Sequence, residues 1–189
     1  SDTLAVHATT ATDPIVVTGG QLFFDGHLIA TDFESFSISA GSGDDLLTAG
    51  AGFDELAGGE GNDTINLGNN GGNAYGDAGD DTLTGAAGGD GLYGGTGSDQ
   101  IMARAGDDIV SLEDLDVGDF ADGGEGDDFL VVGASTASDP ITLAGGELLL
   151  DGLLVATGFE SFSITAGSGD DTLTGGAGSS ELYGGKGND

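Results

Sequence analysis

Aspartates recur in this chain at steps of nine residues, each behind a glycine-rich turn and two residues before an apolar side chain. The clearest copy, Gly58 to Asn66, reads Gly-Gly-Glu-Gly-Asn-Asp-Thr-Ile-Asn and fits the pattern G-G-x-G-x-D-x-U-x, where U is large and apolar. Hard cations such as Ca²⁺ prefer carboxylate and carbonyl oxygens and take about six to eight of them. Aspartates at a fixed interval would supply such carboxylates, so cation binding is the chemistry that these residues could perform.

Each position of the nonapeptide has a physical role. Glycine at the first, second and fourth positions allows positive φ and a close approach of the neighbouring turn. The sixth position supplies a carboxylate, at Asp45, Asp54, Asp63, Asp81, Asp90, Asp99, Asp108, Asp128, Asp171 and Asp189. The eighth position is expected to point inwards, at Leu47, Leu56, Ile65, Leu83, Leu92, Ile101, Val110, Leu130, Leu173 and Leu182. This arrangement is typical of a short strand with one buried and one solvated face.

The nonapeptide resembles the calcium-binding repeat of the RTX (repeats-in-toxin, or haemolysin-type) proteins, and the resemblance covers roughly two thirds of the chain. It implies an all-β fold, a right-handed parallel β-roll in which two nonapeptides form one coil and each turn lies over the turn eighteen residues later. One inward residue in nine cannot bury a strand alone, so the repeats must stack. The resemblance implies that two stacked turns supply one aspartate each, together with turn carbonyls that strand ladders leave free. In the family, the first and third carbonyls of one turn and the second and fourth of the next complete the calcium shell.

That stacking places one row of carboxylates at Asp45, Asp63, Asp81 and Asp99, with Val117 as the next member. The row therefore predicts sites between Asp45 and Asp63, between Asp63 and Asp81, and between Asp81 and Asp99.

The opposite row runs through Asp54, Gly72, Asp90 and Asp108, so Gly72 should spoil two sites and leave one between Asp90 and Asp108. A site between Asp108 and Asp128 is possible after a two-residue insertion before Gly123. Asp171 with Asp189 makes a last candidate, so we expect about six Ca²⁺ ions. The resemblance assigns the carbonyl and turn ligands to Ala40, Ser42, Gly58, Gly59, Glu60, Gly61, Gly76, Asp77, Ala78, Gly79, Gly85, Ala87, Gly95, Gly97, Arg104 and Gly106.

Composition limits the possible partners. The formal net charge is −32, because 34 acidic side chains stand against only two basic ones, Arg104 and Lys186. Such a chain does not attract nucleic acid phosphates or an anionic membrane, and self-repulsion predicts disorder or partial disorder without metal. Extracellular calcium modules bind at about 10⁻⁴–10⁻³ M, so folding should follow export. The chain has no cysteine, so calcium rather than disulfides would stabilise a secreted fold.

The chain also repeats at an interval of 126 residues, because Phe33 to Ile38 matches 159–164 and Asp13-Pro14 matches Asp139-Pro140. From this interval we infer about one and a half copies of a unit that is repeated in a longer protein. No signal peptide, membrane-spanning stretch or C-terminal export signal is recognisable, which also favours a fragment. The expected division is a strand-rich segment at 1–39, an RTX β-roll at 40–131, a second strand-rich segment at 132–165 and the start of the next roll at 166–189.

The strand-rich segments contain most of the bulky apolar residues. Strands are predicted at Ile15 to Thr18, Gln21 to Phe24 and Leu28 to Thr31, and again within 141–156. The dipeptides between them, Gly19-Gly20, Asp25-Gly26, Gly145-Gly146 and Asp151-Gly152, predict tight turns.

The leading functional hypothesis is a calcium-responsive structural module of a large secreted or surface protein, which folds after export and acts as a spacer, as in adhesins. Two alternatives remain open. One is a carbohydrate-binding module beside a polysaccharide-modifying enzyme, which would need a basic or aromatic stripe from Arg104, Lys186, Tyr75, Tyr93 or Tyr183. The other is the C-terminal RTX domain of a secreted protease or lipase. Residues 114–119 resemble an EF-hand loop only faintly, and no residue pattern argues for catalysis.

Overall fold

The computed structural model describes residues 2–8, 15–25, 27–134 and 137–189, and their regular secondary structure is entirely β-strand. The first seven strands are β1 (Thr3–His7), β2 (Ile15–Thr18), β3 (Gln21–Phe24), β4 (His27–Ala30), β5 (Ser35–Ser39), β6 (Leu46–Thr48) and β7 (Asp54–Glu60). The next seven are β8 (Thr64–Asn66), β9 (Gly72–Ala78), β10 (Thr82–Thr84), β11 (Gly91–Thr96), β12 (Gln100–Met102), β13 (Ile109–Leu112) and β14 (Phe120–Asp122). The last seven are β15 (Phe129–Gly133), β16 (Ile141–Ala144), β17 (Glu147–Leu150), β18 (Leu153–Thr157), β19 (Ser161–Thr165), β20 (Thr172–Leu173) and β21 (Ser180–Tyr183).

The strands form two sheets that the chain visits in alternation. The first sheet has nine strands in the order β1-β5-β7-β9-β11-β13-β15-β19-β21, and all of its neighbouring strands are parallel. In the second sheet β6, β8, β10, β12 and β14 follow one another in parallel. Successive nonapeptides therefore supply one strand to each sheet, and the expected parallel β-roll is confirmed.

The strand pairing also shows the length of one coil. Leu47 pairs with Ile65, and Ile65 pairs with Leu83, which is a step of eighteen residues. The step is twenty between Gln100 and Phe120. The pairing thus confirms the eighteen-residue stacking, and it places the two-residue insertion in the loop between β13 and β14.

Hairpins interrupt the second sheet once in each 126-residue unit. Strand β14 pairs in parallel with β18, which is antiparallel to β17, which is antiparallel to β16, and β16 pairs in parallel with β20. The earlier unit repeats this arrangement, because β4, β3 and β2 are antiparallel neighbours and β2 pairs in parallel with β6. In each unit, three hairpin strands thus occupy the place that a single strand has elsewhere in this sheet. The first and third of these strands run in the same direction, so the next strand of the roll again pairs in parallel.

The hairpin turns follow from their residues. Gly19 and Gly20 have φ of 56° and 75°, and Gly145 and Gly146 have φ of 64° and 86°. Two successive positive φ values are typical of the tight turns that match strand twist, and they favour glycine. Asp151 and Gly152 have the same form, with φ of 49° and 78°. Gly26 and the Asp13-Pro14 pair lie outside the described residues.

The core lies between the two sheets. The eighth-position residues Leu47, Leu56, Ile65, Leu83, Leu92, Ile101, Val110 and Leu130 are fully buried, as predicted, whereas Leu173 and Leu182 are partly buried. The strand-rich segments add larger side chains, of which Phe36 and Phe162 are the bulkiest that are fully buried. Leu112, the last residue of β13, and Leu115, in the loop that follows, continue this core. The described residues include no helix long and apolar enough to cross a membrane.

Candidate metal sites

The sixth-position aspartates lie where each turn meets its strand, and they are buried despite their charge. No more than 4% of the residue surface is exposed at Asp45, Asp54, Asp63, Asp81, Asp90, Asp99, Asp108, Asp128 and Asp171. Asp189, in the last turn of the chain, is exposed. A buried carboxylate is costly unless its oxygens have partners, so the partners of each oxygen determine what these turns can bind.

One oxygen of each carboxylate is held by the preceding coil. The Asp45 N–H donates to Asp63 Oδ1 at 2.7 Å, and the Asp63 N–H donates to Asp81 Oδ1 at 2.7 Å. The same bond joins Asp81 to Asp99, Asp90 to Asp108, Asp108 to Asp128 and Asp171 to Asp189. In each of the pairs predicted from the sequence, the main-chain N–H of the earlier aspartate therefore donates to the carboxylate of the later one.

The second oxygen of many of these carboxylates has no protein partner. Buried Oδ2 atoms without a hydrogen bond belong to Asp45, Asp63, Asp81, Asp108, Asp128 and Asp171. Leaving a buried acceptor unpaired costs about 1–3 kcal/mol, and more for a charged group. A hard divalent cation would satisfy these oxygens, since Ca²⁺ takes carboxylates together with carbonyl oxygens. The donor set therefore fits calcium.

Three carboxylates instead have both oxygens satisfied by the main chain. The Gly50 N–H donates to Asp54 Oδ2 at 3.1 Å, and the Ala86 N–H donates to Asp90 Oδ2 at 2.6 Å. Asp119 Oδ2 accepts the Asp116 N–H at 2.9 Å. A donated N–H thus takes the place that a cation would fill on that oxygen.

The turns differ in backbone conformation in the same way. Positive φ occurs at both the second and the fourth residue of turns 58–63, 76–81, 94–99, 103–108, 123–128 and 184–189. These turns contain the later aspartate of each predicted pair. Gly50 and Ala86, which donate to their own aspartates, do not have positive φ. We call the first kind left-handed turns.

Left-handed turns need glycine because the neighbouring turn is close. A Cβ added to Gly79 (φ 139°) would lie 1.9 Å from the Gly61 carbonyl oxygen, and one added to Gly58 would lie 1.9 Å from Asp63 Oδ2. Any side chain at these positions would displace a neighbouring turn or the carboxylate itself. The second position tolerates two exceptions, Asp77 (φ 73°) and Arg104 (φ 82°).

The prediction that Val117 follows Asp99 is wrong. The Asp99 N–H donates to Asp119 Oδ1 at 2.8 Å, and Val117 is 56% exposed. The reason is the two-residue insertion, which shifts the next carboxylate to Asp119 and its inward residue to Ala121. The sequence signal was the order Asp119-Phe120-Ala121, which keeps the aspartate-to-apolar spacing although alanine is small.

Gly72 interrupts the opposite row as predicted. Gly72 pairs with Asp54 in the sheet, and its N–H donates to Asp90 Oδ1 at 2.9 Å. We call the space between two stacked turns a level and name it by the sixth-position residues of the two turns. The level between Gly72 and Asp90 therefore has a single carboxylate. The row ends in a residue that the sequence reasoning missed, because the Asp128 N–H donates to Glu160 Oε2 at 2.9 Å. The Asp2 N–H donates to Glu34 in the same way, at 2.7 Å. The identical Phe-Glu-Ser-Phe-Ser segments around both glutamates are the signal that could have found them.

Fifth-position residues form a second, exposed row that the sequence reasoning also missed. The Asn62 N–H donates to Asp44 Oδ1, the Asp80 N–H to Asn62 Oδ1 and the Ser98 N–H to Asp80 Oδ1, each at 2.9 Å. Here the later residue donates, whereas in the buried row the earlier one does. The two rows together fix both sides of each turn.

The expectation that the strand ladders leave the turn carbonyls free is wrong at Ala78 and Arg104. The Ala78 oxygen accepts the Gly61 N–H at 2.8 Å, and the Arg104 oxygen accepts the Glu125 N–H at 2.8 Å. The ladder continues into the left-handed turns, so these carbonyls are already bonded. A carbonyl oxygen has two lone pairs, so one remains available for a cation.

Burial raises the pKa of the sixth-position carboxylates from Asp45 to Asp128. It raises the pKa of Asp81 to about 7, with a further rise from the charges of Asp63 and Asp99. The pKa values of Asp63, Asp108 and Asp119 are raised to about 6, again mainly by burial. Among the described residues no site gathers three or more acidic or histidine side chains. A level that lies between two aspartates therefore holds two carboxylates. Their unpaired oxygens need either protons or a cation, and a cation would bind main-chain oxygens as well.

A comparison with known families gives one match. The model of the RTX calcium-binding nonapeptide repeat matches residues 39–72, 75–110, 118–135 and 164–189. No curated protein and no solved structure is similar enough to the chain to match it. The four matched ranges contain all the turns that carry sixth-position aspartates.

These pKa values predict how the metal-free protein responds to pH. A carboxyl whose pKa is higher in the folded state binds more protons there, so stability present at low pH is lost as pH rises through the folded pKa. Acidifying metal-free protein from about pH 8 to about pH 5 should therefore increase its β-structure, measured by far-UV circular dichroism.

The control for this prediction is a matched pair of variants. Asp81→Asn mimics the protonated acid, so its β-content should depend less on pH. Asp80→Asn alters the exposed neighbour, whose Oδ1 accepts the Ser98 N–H, and should behave as the unaltered chain does. Equal pH profiles for Asp81→Asn and Asp80→Asn would contradict the assignment.

Proposed function

The chain belongs to the RTX calcium-binding nonapeptide repeat family, and from this premise we propose that it is a structural module whose roll folds as calcium binds between stacked turns. The observation that carries the proposal is the set of buried, unpaired Oδ2 atoms beside the left-handed turns. A folded roll without cations would retain every one of these unsatisfied oxygens.

The proposed ions number about six. They lie between Asp45 and Asp63, Asp63 and Asp81, Asp81 and Asp99, Asp90 and Asp108, Asp108 and Asp128, and Asp171 and Asp189. Each pair shares an Asp N–H to Asp Oδ1 bond, and its later member ends a left-handed turn. We propose carbonyls of the same turns as the remaining ligands, together with water, which commonly completes calcium shells.

Binding energy of this size is comparable with the stability of a whole domain. A site at ten times its dissociation constant contributes about 1.4 kcal/mol, so six such sites contribute roughly 8 kcal/mol. Calcium would also neutralise part of the net charge of −32, which opposes compaction. The hairpin segments have apolar side chains and few sixth-position aspartates, so their folding should depend on calcium mainly through the rolls beside them.

We propose that the parent protein is secreted or displayed on a cell surface and that this chain serves it as a spacer. Calcium is submicromolar in the cytosol, and sites of about 10⁻⁴–10⁻³ M would fill only after export. Side-by-side coils that each contact only their neighbours make a long, stiff element, which supports a mechanical rather than an enzymatic role.

One observation favours a second candidate, carbohydrate binding. Tyr75 and Tyr93 are paired across β9 and β11, and their rings stack with centroids 4.8 Å apart and planes at 8°. They border a cavity of about 380 Å³ that Asp77 and Glu113 also line. Aromatic side chains offer a flat apolar face with a polar edge, and the carboxylates disfavour an anionic polymer. The carbohydrate-binding alternative is thus restricted to a neutral saccharide as the ligand.

The saccharide candidate is tested by titrating calcium-loaded protein with a neutral glucan and with alginate. It predicts binding of the glucan alone, lost in Tyr75→Ala and Tyr93→Ala but kept in Tyr183→Ala, since Tyr183 lies on distant strand β21. Equal binding by all three variants, or by none, would eliminate this candidate and leave the spacer role untouched.

The main proposal predicts that calcium drives folding. In a titration of metal-free protein at neutral pH, far-UV circular dichroism should change from coil-like to β-like. Magnesium should fail, since it demands tighter octahedral geometry than the turns provide. A full β-spectrum in excess chelator at neutral pH would overturn the proposal.

The proposed sites are unequal, so single substitutions should remove different numbers of ions. Asp81 belongs to two pairs, and Asp81→Ala should remove about two ions and shift the folding midpoint to higher calcium. Asp54 already accepts the Phe36 and Gly50 N–H groups, so Asp54→Asn should leave the ion count unchanged. Ion counting by calorimetry separates the two variants, and equal losses would contradict the assigned pairs.

A further inference from the structure

The second position of the left-handed turns carries opposite charges on the two edges of the roll. Glycine is usual there, as at Gly59, Gly95 and Gly124, but Asp77 and Arg104 take the same positive-φ conformation. Both accept the strain that a non-glycine residue has in this region. Their side chains therefore call for a separate explanation.

Arg104 contacts the turn below its own. Its Nη1 donates to the Gly85 carbonyl oxygen at 3.1 Å, and Gly85 is the first residue of turn 85–90, whose carbonyl the family pattern assigns to calcium. The Arg104 charge also acts on Asp90, where it opposes the rise in pKa that burial causes. A permanent cation thus faces the oxygens of the level between Asp90 and Asp108.

The Asp90 carboxylate needs no further partner. Its Oδ1 accepts the Gly72 N–H at 2.9 Å and its Oδ2 accepts the Ala86 N–H at 2.6 Å. At this level only Asp108 Oδ2 is a buried carboxylate oxygen without a hydrogen bond. Protein donors have therefore replaced most of what calcium would supply.

The level between Asp63 and Asp81 has the opposite character. Both of its Oδ2 atoms are buried and unpaired, and the nearby Asp77 carboxylate adds negative charge that raises the pKa of both aspartates. No basic side chain faces this level, since the only arginine and lysine are Arg104 and Lys186. This level depends fully on an external cation.

We propose that Arg104 is a built-in substitute for calcium at the level between Asp90 and Asp108, which makes that level the weakest calcium site of the roll and allows it to form without metal. The inference rests on the proposed calcium-dependent roll. The two edges of the roll then differ in calcium requirement. The calcium sites on the edge that contains Asp77 fill first, whereas the edge that contains Arg104 is stabilised mainly by protein groups.

The experiment compares ion number and affinity by calorimetry in four variants. Arg104→Gly and Arg104→Asn both remove the charge, and both residues tolerate positive φ. Each should leave the ion count unchanged and tighten the weakest ion by roughly tenfold, the size of a charge interaction near a protein surface. Arg104→Lys keeps the charge and should match the unaltered chain. Asp77→Gly should weaken binding, which gives the opposite sign at the same turn position.

The outcomes separate this inference from the proposed function. If the unaltered chain binds no calcium, the proposed function fails. If it binds calcium and Arg104→Asn has the same ion count and affinities, the role of Arg104 fails while the roll stands. If Arg104→Lys tightens the weakest ion as Arg104→Asn does, the effect comes from side-chain shape rather than charge, and the inference is also overturned. Six equal ions in the unaltered chain would overturn it directly.

Discussion

The structure depends on the burial of one carboxylate in most turns of the roll. Stacking two turns removes the aspartates from water, as at Asp63 and Asp81, and a buried charge is tolerated only when its oxygens have partners. The coil below supplies an N–H to Oδ1, and that bond fixes the distance between successive turns. The second oxygen is left over. Whether an N–H, a proton or a cation satisfies it decides whether the local stack is stable.

The chain uses two solutions to this constraint, and the backbone selects between them. At Asp54 and Asp90 the second residue of the turn points its N–H inwards and donates to the carboxylate. In the left-handed turns that residue has positive φ, and Oδ2 is unpaired at Asp63, Asp81, Asp108 and Asp128. At both Asp54 and Asp90 the coil below offers no carboxylate, since Oδ1 accepts the Phe36 N–H at Asp54 and the Gly72 N–H at Asp90. Metal dependence is therefore a property of neighbouring pairs of turns rather than of single repeats.

The hairpin segments solve a different problem, since they are held by apolar burial. Phe36 and Phe162 are fully buried on the first sheet, and Ile15 and Ile141 begin the inner faces of the hairpins on the second. Their tight turns need only local residues such as Gly19 and Gly20. The Ile15 N–H donates to Asp45 Oδ1 at 2.6 Å, and the Ile141 N–H donates to Asp171 Oδ1 at 2.8 Å. For the first aspartate of each of these rows, the N–H of an apolar strand thus takes the place of the N–H that a preceding turn supplies elsewhere.

The sequence by itself determined the repeating part of this protein. Glycine, aspartate and leucine at fixed positions define the turn, the carboxylate and the inward residue, because each role depends on local conformation and on regular stacking. The nine-residue recurrence that begins at Asp45 and Leu47, together with the resemblance to the RTX repeat, predicted the coil length, the buried row and the pairing of carboxylates. The hairpin strands follow equally from Gly19-Gly20 between apolar runs. Only the tertiary structure decided the positions where regularity fails. It placed Asp119 rather than Val117 above Asp99, because an insertion changes register by an amount that only the sheet pairing reveals. It also ended one row at Glu160 and set Arg104 against the Gly85 carbonyl, because contacts between residues far apart in the chain are fixed by stacking and not by local pattern.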